Sequence, residues 1–223
     1  VALALPLAPF GGASEGGDAP PIPMRRVLGR ALGVRSYQLL VAGFFVCGFH
    51  VAFITVHMPA YLVDLGFDPR VGAWSISLIG LFNVVGAYAS GIASGRHPQR
   101  KILAGIYLGR VVAIGLFLTI PISLGSVVIF SSLMGLLWLA TVPPTSGLVA
   151  EFFGTRYMTV LYGLVFLSHQ VGSFIGVWLG GWLYENVGSY NGIWIAGMVL
   201  GVVAALVHWP IEERSHATQL ETA

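Results

Sequence analysis

An imidazole in the middle of an apolar run is the first feature of this sequence able to do chemistry. His169, followed by Gln170, lies inside the run Leu161–Gly181, which is otherwise built of apolar and small residues. A stretch of that length can cross a bilayer as one helix, which takes roughly 20 mostly apolar residues. A titratable ring at membrane depth is costly unless it faces protein or a water-filled cavity. Its unperturbed pKa of about 6.5 suits it to carry a proton or bind a ligand near physiological pH. The competing role is a hydrogen bond to a backbone carbonyl one helix away. The function-bearing role is the one adopted for His169.

Other polar residues sit at similar depth. His50 and His57 are seven apart and so share a helix face. His57, two residues before Pro59, reads as interfacial; His50 is deeper, where lining a cavity and packing against backbone remain equal alternatives. Asn83 occupies the centre of an apolar block, with Ala87 and Ser90 continuing its face, a pattern that also serves as helix-to-helix glue. Pro143 and Pro144, in Thr141-Val-Pro-Pro-Thr-Ser-Gly147, delete two backbone donors and predict a kink. Thr141, Thr145 and Ser146 are placed to re-satisfy the freed carbonyls, although interrupted membrane helices also form ion and solute sites. Arg110, about two and a half turns into another apolar block, either snorkels or pairs inside the bundle, or serves as an anion ligand; the first is preferred. No metal set is present, since Cys47 stands alone and the histidines lack zinc spacing. No Walker-type phosphate loop appears either, so neither a nucleotide nor any other cofactor is expected.

These side chains need a membrane scaffold to position them. The chain of 223 residues is 56% hydrophobic and only 9% charged, with a mean hydropathy of +0.83. Soluble domains carry about 25% charged residues. The apolar residues fall in separated blocks rather than the alternating ten-residue segments of an outer-membrane barrel, so an all-α polytopic membrane protein is expected. A formal charge of +2 gives no reason to expect nucleic acid as a partner; the lipid bilayer is the expected one.

Six spans are expected, at about residues 37–61, 71–93, 102–120, 127–149, 158–183 and 192–209, giving a membrane domain over 37–209. In the fifth, Ser168, Gly172, Gly176 and Gly180 recur every fourth residue and make a stripe that a neighbouring backbone can approach closely. Residues 11–36 are a Gly/Pro-rich linker that turns basic, with a short surface helix expected before the membrane. Val1–Phe10 reads as the end of a preceding transmembrane helix, so a fragment of a longer protein is expected. Residues 210–223 form a charged tail. Basic residues concentrate in the linker, the second–third joint, the fourth–fifth joint and the tail, while the opposite joints hold only Arg70. The positive-inside rule then puts both the linker and the C-terminus in the cytoplasm.

This layout resembles the C-terminal half of a major facilitator superfamily transporter. The second–third joint, Gly91-Ile-Ala-Ser-Gly-Arg96-His-Pro-Gln-Arg100-Lys101, is similar to that superfamily's cytoplasmic signature, with Gly95 where the acid is expected and Pro98 where a second glycine is. The fourth–fifth joint, Ala150-Glu151-Phe-Phe-Gly-Thr-Arg156, then Tyr162-Gly163, and the closing Gly180-Gly181-Trp-Leu-Tyr-Glu-Asn-Val-Gly188, are similar to the monocarboxylate and oxalate/formate-type branch. The resemblance implies two inverted three-helix repeats and a missing N-terminal six-helix half as partner. It also implies cytoplasmic gate positions at Gly91, Arg96, Arg100, Lys101, Glu151 and Arg156. By the Tyr162-Gly163 anchor, His169 occupies the position of the carboxylate-binding basic residue of the oxalate/formate antiporters. Asn83 and Ala87 stand where monocarboxylate carriers have an acid and an arginine. The first and fourth spans would line the cavity, nominating His50 and the Pro143–Pro144 region, and the third would be peripheral, against a role for Arg110.

The expected function is secondary active transport of a small solute, with an organic anion as one candidate, by symport or antiport across the bacterial inner (plasma) membrane, and without enzymatic activity. Two alternatives stand beside it. One is a non-transporting sensor or scaffold of the same fold. The other, much less favoured, is an intramembrane serine protease using Ser146 and His169, in which Pro144 would occupy that family's glycine position before the nucleophile.

Overall fold

The computed structural model describes residues 23–216; the expected helix end at Val1–Phe10, the first part of the linker and the end of the tail lie outside the described residues. A short amphipathic helix α1 (Met24–Leu32) precedes α2 (Arg35–Asp64), α3 (Pro69–Ser94) and α4 (Gln99–Thr119). Then come α5 (Leu124–Leu137), α6 (Val142–Phe153), α7 (Met158–Val187) and α8 (Asn191–His208). Among the described residues six segments are long and apolar enough to cross a membrane, with α5 and α6 together forming the fourth. The α1 helix is the surface element expected in the linker. It buries Val27 and Ala31 against the bundle and leaves Arg25 and Arg26 outward.

The packing follows a two-fold logic. α2 runs along α7, α3 along α5, and α4 along α8, while α2 also meets α8 and α4 meets α5. Exchanging the first three spans with the last three maps α2–α7 onto α3–α5 and α2–α8 onto α4–α5, and leaves α4–α8 unchanged. Because three spans separate equivalent helices, the two repeats enter the membrane from opposite ends. This is an all-α fold of two inverted three-helix repeats.

Glycines permit the closest crossings. A Cβ added at Gly172 of α7 would overlap the Phe45 carbonyl oxygen, and one at Gly48 of α2 would overlap that of His169. One at Gly176 would lie 2.7 Å from Phe49 O. The four-residue stripe of α7 is thus the face on which α2 lies. Gly86 and Gly135 play the same part where α3 crosses α5. Since backbone, not a flexible side chain, is what a new methyl would meet, Gly172→Ala is expected to destabilise the protein by about 1–3 kcal/mol. A lowered melting temperature of the detergent-purified protein measures it.

Two apolar clusters fill the bundle. One, around Tyr37, Phe44, Tyr107 and Phe152, lies toward the end that carries α1. The other, around Phe53, Phe117, Phe130 and Trp194, lies toward the opposite end. At the α1 end stand nine of the eleven Lys and Arg residues; Arg70 is at the other end, with Asp64, Asp68 and Glu185, and Arg110 lies between. The polar residues that matter sit where the two clusters meet.

Candidate functional site

The centre of the site is a gap in the fourth span. The double proline was expected to kink one continuous helix over residues 127–149; instead the helix stops at Leu137 and restarts at Val142. The cause is arithmetic of donors. Pro143 and Pro144 cannot supply the N–H groups that would close the turns onto the carbonyls of Leu139 and Ala140. Inside a bilayer each backbone group so released must find another partner.

Side chains of neighbouring helices supply most of these partners. Asn83 Oδ1 on α3 accepts from Leu139 N at 2.9 Å. Ser90 Oγ, seven residues on along the same face, donates to Ala140 O at 2.5 Å, the carbonyl that Pro144 leaves open. From α4, Arg110 donates through Nε and Nη2 to Leu137 O, at 3.1 and 2.7 Å, and through Nη2 to Trp138 O. The chain itself closes only Val142 N to Leu139 O, at 2.9 Å, across the gap. Thr141 and Thr145 do not take the role expected of them. Thr141 Oγ1 pairs with Cys47 Sγ at 3.2 Å, and Thr145 Oγ1 is buried without a partner. Ser146 Oγ turns back on Pro143 O at 3.0 Å.

Arg110 is fully buried and does not snorkel. Although α4 turns Leu108, Val112 and Leu116 outward, Arg110 is on its inner face, where the long side chain crosses to the gap. The carbonyl end of α5 carries the negative pole of that helix, so a cation is favoured there. Its guanidinium also lies over the Tyr107 ring at 5.3 Å and reaches Cys47 Sγ at 3.6 Å. Ser90, Cys47, Arg110 and Thr141, all buried, and the half-buried Asn83 therefore form one polar layer across α2, α3, α4 and the α5–α6 gap.

His169 sits at the edge of this layer, within side-chain range of Cys47. Its ring stacks on Phe166 at 5.2 Å and tilts against Phe44 at 5.2 Å, while Nδ1 faces Gln170 Oε1 at 3.1 Å. It is buried, at 7% exposed, while the adjoining Gln170 is exposed, so the ring lies just beneath an outer face of this six-helix bundle. His50 differs. It is wholly enclosed, with Nε2 on Gly197 O of α8 at 2.7 Å and no partner for Nδ1. His57 Nε2 meets Val177 O at 2.9 Å, near the outer end of α7. Ser146 and His169 make no hydrogen bond to one another, each being committed elsewhere as described, so the geometry of a serine nucleophile with its base is not assembled.

The positions expected to form a gate gather at the basic end. Gly91, Arg96, Lys101, Glu151 and Arg156 are exposed there, with Arg156 over the Tyr157 ring at 5.4 Å. Arg100 is different, because the tail folds back onto it. Its Nη1 donates to Trp209 O and Ile211 O, at 3.2 and 3.0 Å, and its backbone N–H donates to Glu213 Oε1 at 2.8 Å. The joint whose own sequence has Gly95 in the acidic position thus receives a carboxylate from the tail.

Sequence reasoning passed over Cys47 as a site residue and took Ser90 only as a continuation of the Asn83 face. Cys47 lies three residues before His50 and thus on a neighbouring face of α2. Ser90 shares the Asn83 face. Their spacing from residues already singled out was the available signal.

The comparison that decides the family is a match of the Major Facilitator Superfamily profile to residues 4–177 and 40–223. The chain belongs to the major facilitator superfamily. Individual relatives agree with this. The uncharacterized MFS-type transporter YcxA of Bacillus subtilis (strain 168) is 26% identical over 161 residues, covering 68% of this chain and 38% of that protein. Monocarboxylate transporter 13 of Rattus norvegicus is 30% identical over 135 residues, 58% of this chain and 31% of that protein. Monocarboxylate transporter 12-B of Danio rerio is 24% identical over 154 residues, 68% of this chain and 32% of that protein. Within the superfamily these relatives support the monocarboxylate-like branch. The chain spans between 31 and 38% of the length of these curated relatives.

Proposed function

We propose that this chain is the C-terminal six-helix half of a secondary active transporter, and that with an N-terminal half it moves a small organic anion across the membrane by alternating access. The observation that carries the proposal is the position of His169. A titratable ring backed by the polar layer lies just beneath the exposed Gln170, under a face of the bundle that a second half would cover. There it would meet a solute between the halves. The fourth span, broken at Pro143–Pro144 and tied by Asn83 and Arg110, gives that cavity a wall with non-helical backbone, which membranes tolerate only against protein or water. Two relatives bear the name monocarboxylate transporter, which favours a carboxylate over other small solutes. The crowding of cations at the α1 end argues for a cytoplasmic location of that end, and of the gate residues with it.

Reconstitution of the complete parent protein into liposomes tests the proposal. Saturable uptake or exchange of radiolabelled lactate or formate, dependent on a pH or counter-solute gradient, is the expected result. Binding of these probes without flux would point to a sensor instead. Labelling of the protein by a serine-reactive phosphonate, lost in Ser146→Ala, would point to a protease.

A further inference from the structure

At the basic end, where α2 enters the membrane and α8 leaves it, the folded-back tail and the α1–α2 junction enclose a polar cleft of about 390 Å³. Arg35, Ser36, Glu212, Arg214 and His216 line it. Three features make it a site rather than a crevice. First, His216 is 92% buried, packed against the Phe152 and Phe153 rings, and its Nε2 has no hydrogen-bond partner. Second, α2 opens at the same cleft. Its N-cap is Val34, which offers no side-chain acceptor; Tyr37 N donates to Val34 O at 3.1 Å, but the N–H groups of Arg35 and Ser36 and the positive pole of a thirty-residue helix are left for an external anion. Third, Arg35 and Arg214 stand on the rim. The one acid there, Glu212, pairs with Arg214 at 3.0 Å, but both side chains are mostly exposed, and such pairs exchange readily for a better acceptor.

The cleft itself is held in shape. Glu212 N donates to Ser36 Oγ at 3.1 Å, His216 N to Phe152 O at 2.6 Å, and Ile211 is fully buried beneath. These bonds tie the tail to the start of α2 and the end of α6.

We propose that this cleft binds the phosphate group of an anionic phospholipid. The donors fit a tetrahedral oxyanion: guanidinium forks and the N–H groups of Arg35 and Ser36, with the His216 ring lining the cleft beside them. Its depth chooses the lipid over soluble phosphate, because the cleft lies level with the ends of two membrane-spanning helices. Beside it α1 exposes Met24 and Leu32 next to Arg25 and Arg26, the arrangement of a helix lying in the headgroup plane. The site is independent of the solute path and does not rest on what the protein carries.

Native mass spectrometry of the full-length protein, with phosphatidylglycerol or phosphatidylcholine added to the detergent, tests the proposal. The expected result is retention of at least one phosphatidylglycerol against little phosphatidylcholine, weakened roughly fivefold by each of Arg35→Gln and Arg214→Gln. His216→Ala is expected to weaken it as well. Arg214 lies in the exposed tail, so its variant reports on binding even if Arg35→Gln folds poorly. Arg25→Gln with Arg26→Gln, outside the cleft, is expected to leave retention nearly unchanged. Equal retention of the two lipids would overturn the proposal, as would a loss in the Arg25/Arg26 variant as large as in Arg214→Gln, which would mean diffuse surface charge. Displacement of phosphatidylglycerol by millimolar inorganic phosphate would overturn the choice of a lipid.

Discussion

Arg110→Ala is expected to destabilise the protein by about 2–6 kcal/mol, because it strips two buried carbonyls of their donors. The carbonyls of Leu137 and Trp138 stand at the broken end of α5, and Arg110 holds both. Alanine would leave both without a donor in a region that water does not reach. Each buried unsatisfied group costs about 1–3 kcal/mol. Arg110→Lys is expected to recover only part of this, because one ammonium cannot span both carbonyls with the geometry of a guanidinium fork. The sharper measurement is a cycle with the prolines. Pro143→Ala combined with Pro144→Ala restores two backbone donors and lets α5 run into α6, whereupon Thr141 N and Val142 N can reach the carbonyls Arg110 now serves. On its own that pair of changes strands the guanidinium and Asn83; together with Arg110→Ala it does not. A coupling energy of about 0.5–3 kcal/mol, with the combined variant more stable than the sum of its parts, is expected from thermal unfolding in detergent. Strict additivity would mean that the gap and Arg110 are unrelated.

The same gap shows where sequence reasoning reaches and where it stops. The spans were legible because each is a local property: a run of apolar residues of bilayer length bounded by charged joints. The stripe of Ser168, Gly172, Gly176 and Gly180 announced a close crossing for the same reason, since period-four spacing is visible in one helix alone. Even the defect in the fourth span was legible, because proline acts on its own turn. What could not be read is how the defect is mended. Thr141, Thr145 and Ser146 were the local candidates, but the bonds come from Asn83, Ser90 and Arg110, which lie 27 or more residues away in sequence. Arg110 shows the limit most clearly. The third span was expected to be peripheral, yet α4 has an inner face, and an arginine is long enough to reach across from it. Cys47 was passed over because a lone thiol in an apolar run carries no signal until Thr141 and Arg110 are seen beside it. His50 and His169 looked alike as deep imidazoles; only their neighbours separate them, a main-chain carbonyl inside the bundle for one and the exposed Gln170 for the other.

That separation supports the second large effect. His169→Ala in the complete transporter is expected to lower affinity for a carboxylate solute about ten- to a hundredfold while leaving folding intact. A hydrogen bond to a charged partner is worth roughly 1.5–3 kcal/mol, and each 1.4 kcal/mol is a factor of ten. The ring's hydrogen bond is to the side chain of the next residue, and what it loses against α2 is its contact with Phe44 and Cys47, so only a modest loss of stability is expected beside the loss of affinity. His50→Ala, by contrast, breaks a bond between α2 and α8 and is expected to show first as lost stability. The pH dependence has a definite sign. Only the protonated imidazole offers a positive charge to an anion, so affinity should be highest below the imidazole's pKa and fall as pH rises through it. His169→Arg keeps the charge at all accessible pH and should bind the anion without that fall. It should also lose any coupling to a proton gradient, because a guanidinium cannot release its proton. Uptake of a radiolabelled carboxylate into liposomes from pH 5 to 8 reads all of these outcomes. A wild-type profile that is flat across that range, or a His169→Arg variant that still concentrates solute against a proton gradient, would remove His169 from the solute path and leave it a packing residue beside Phe44 and Phe166.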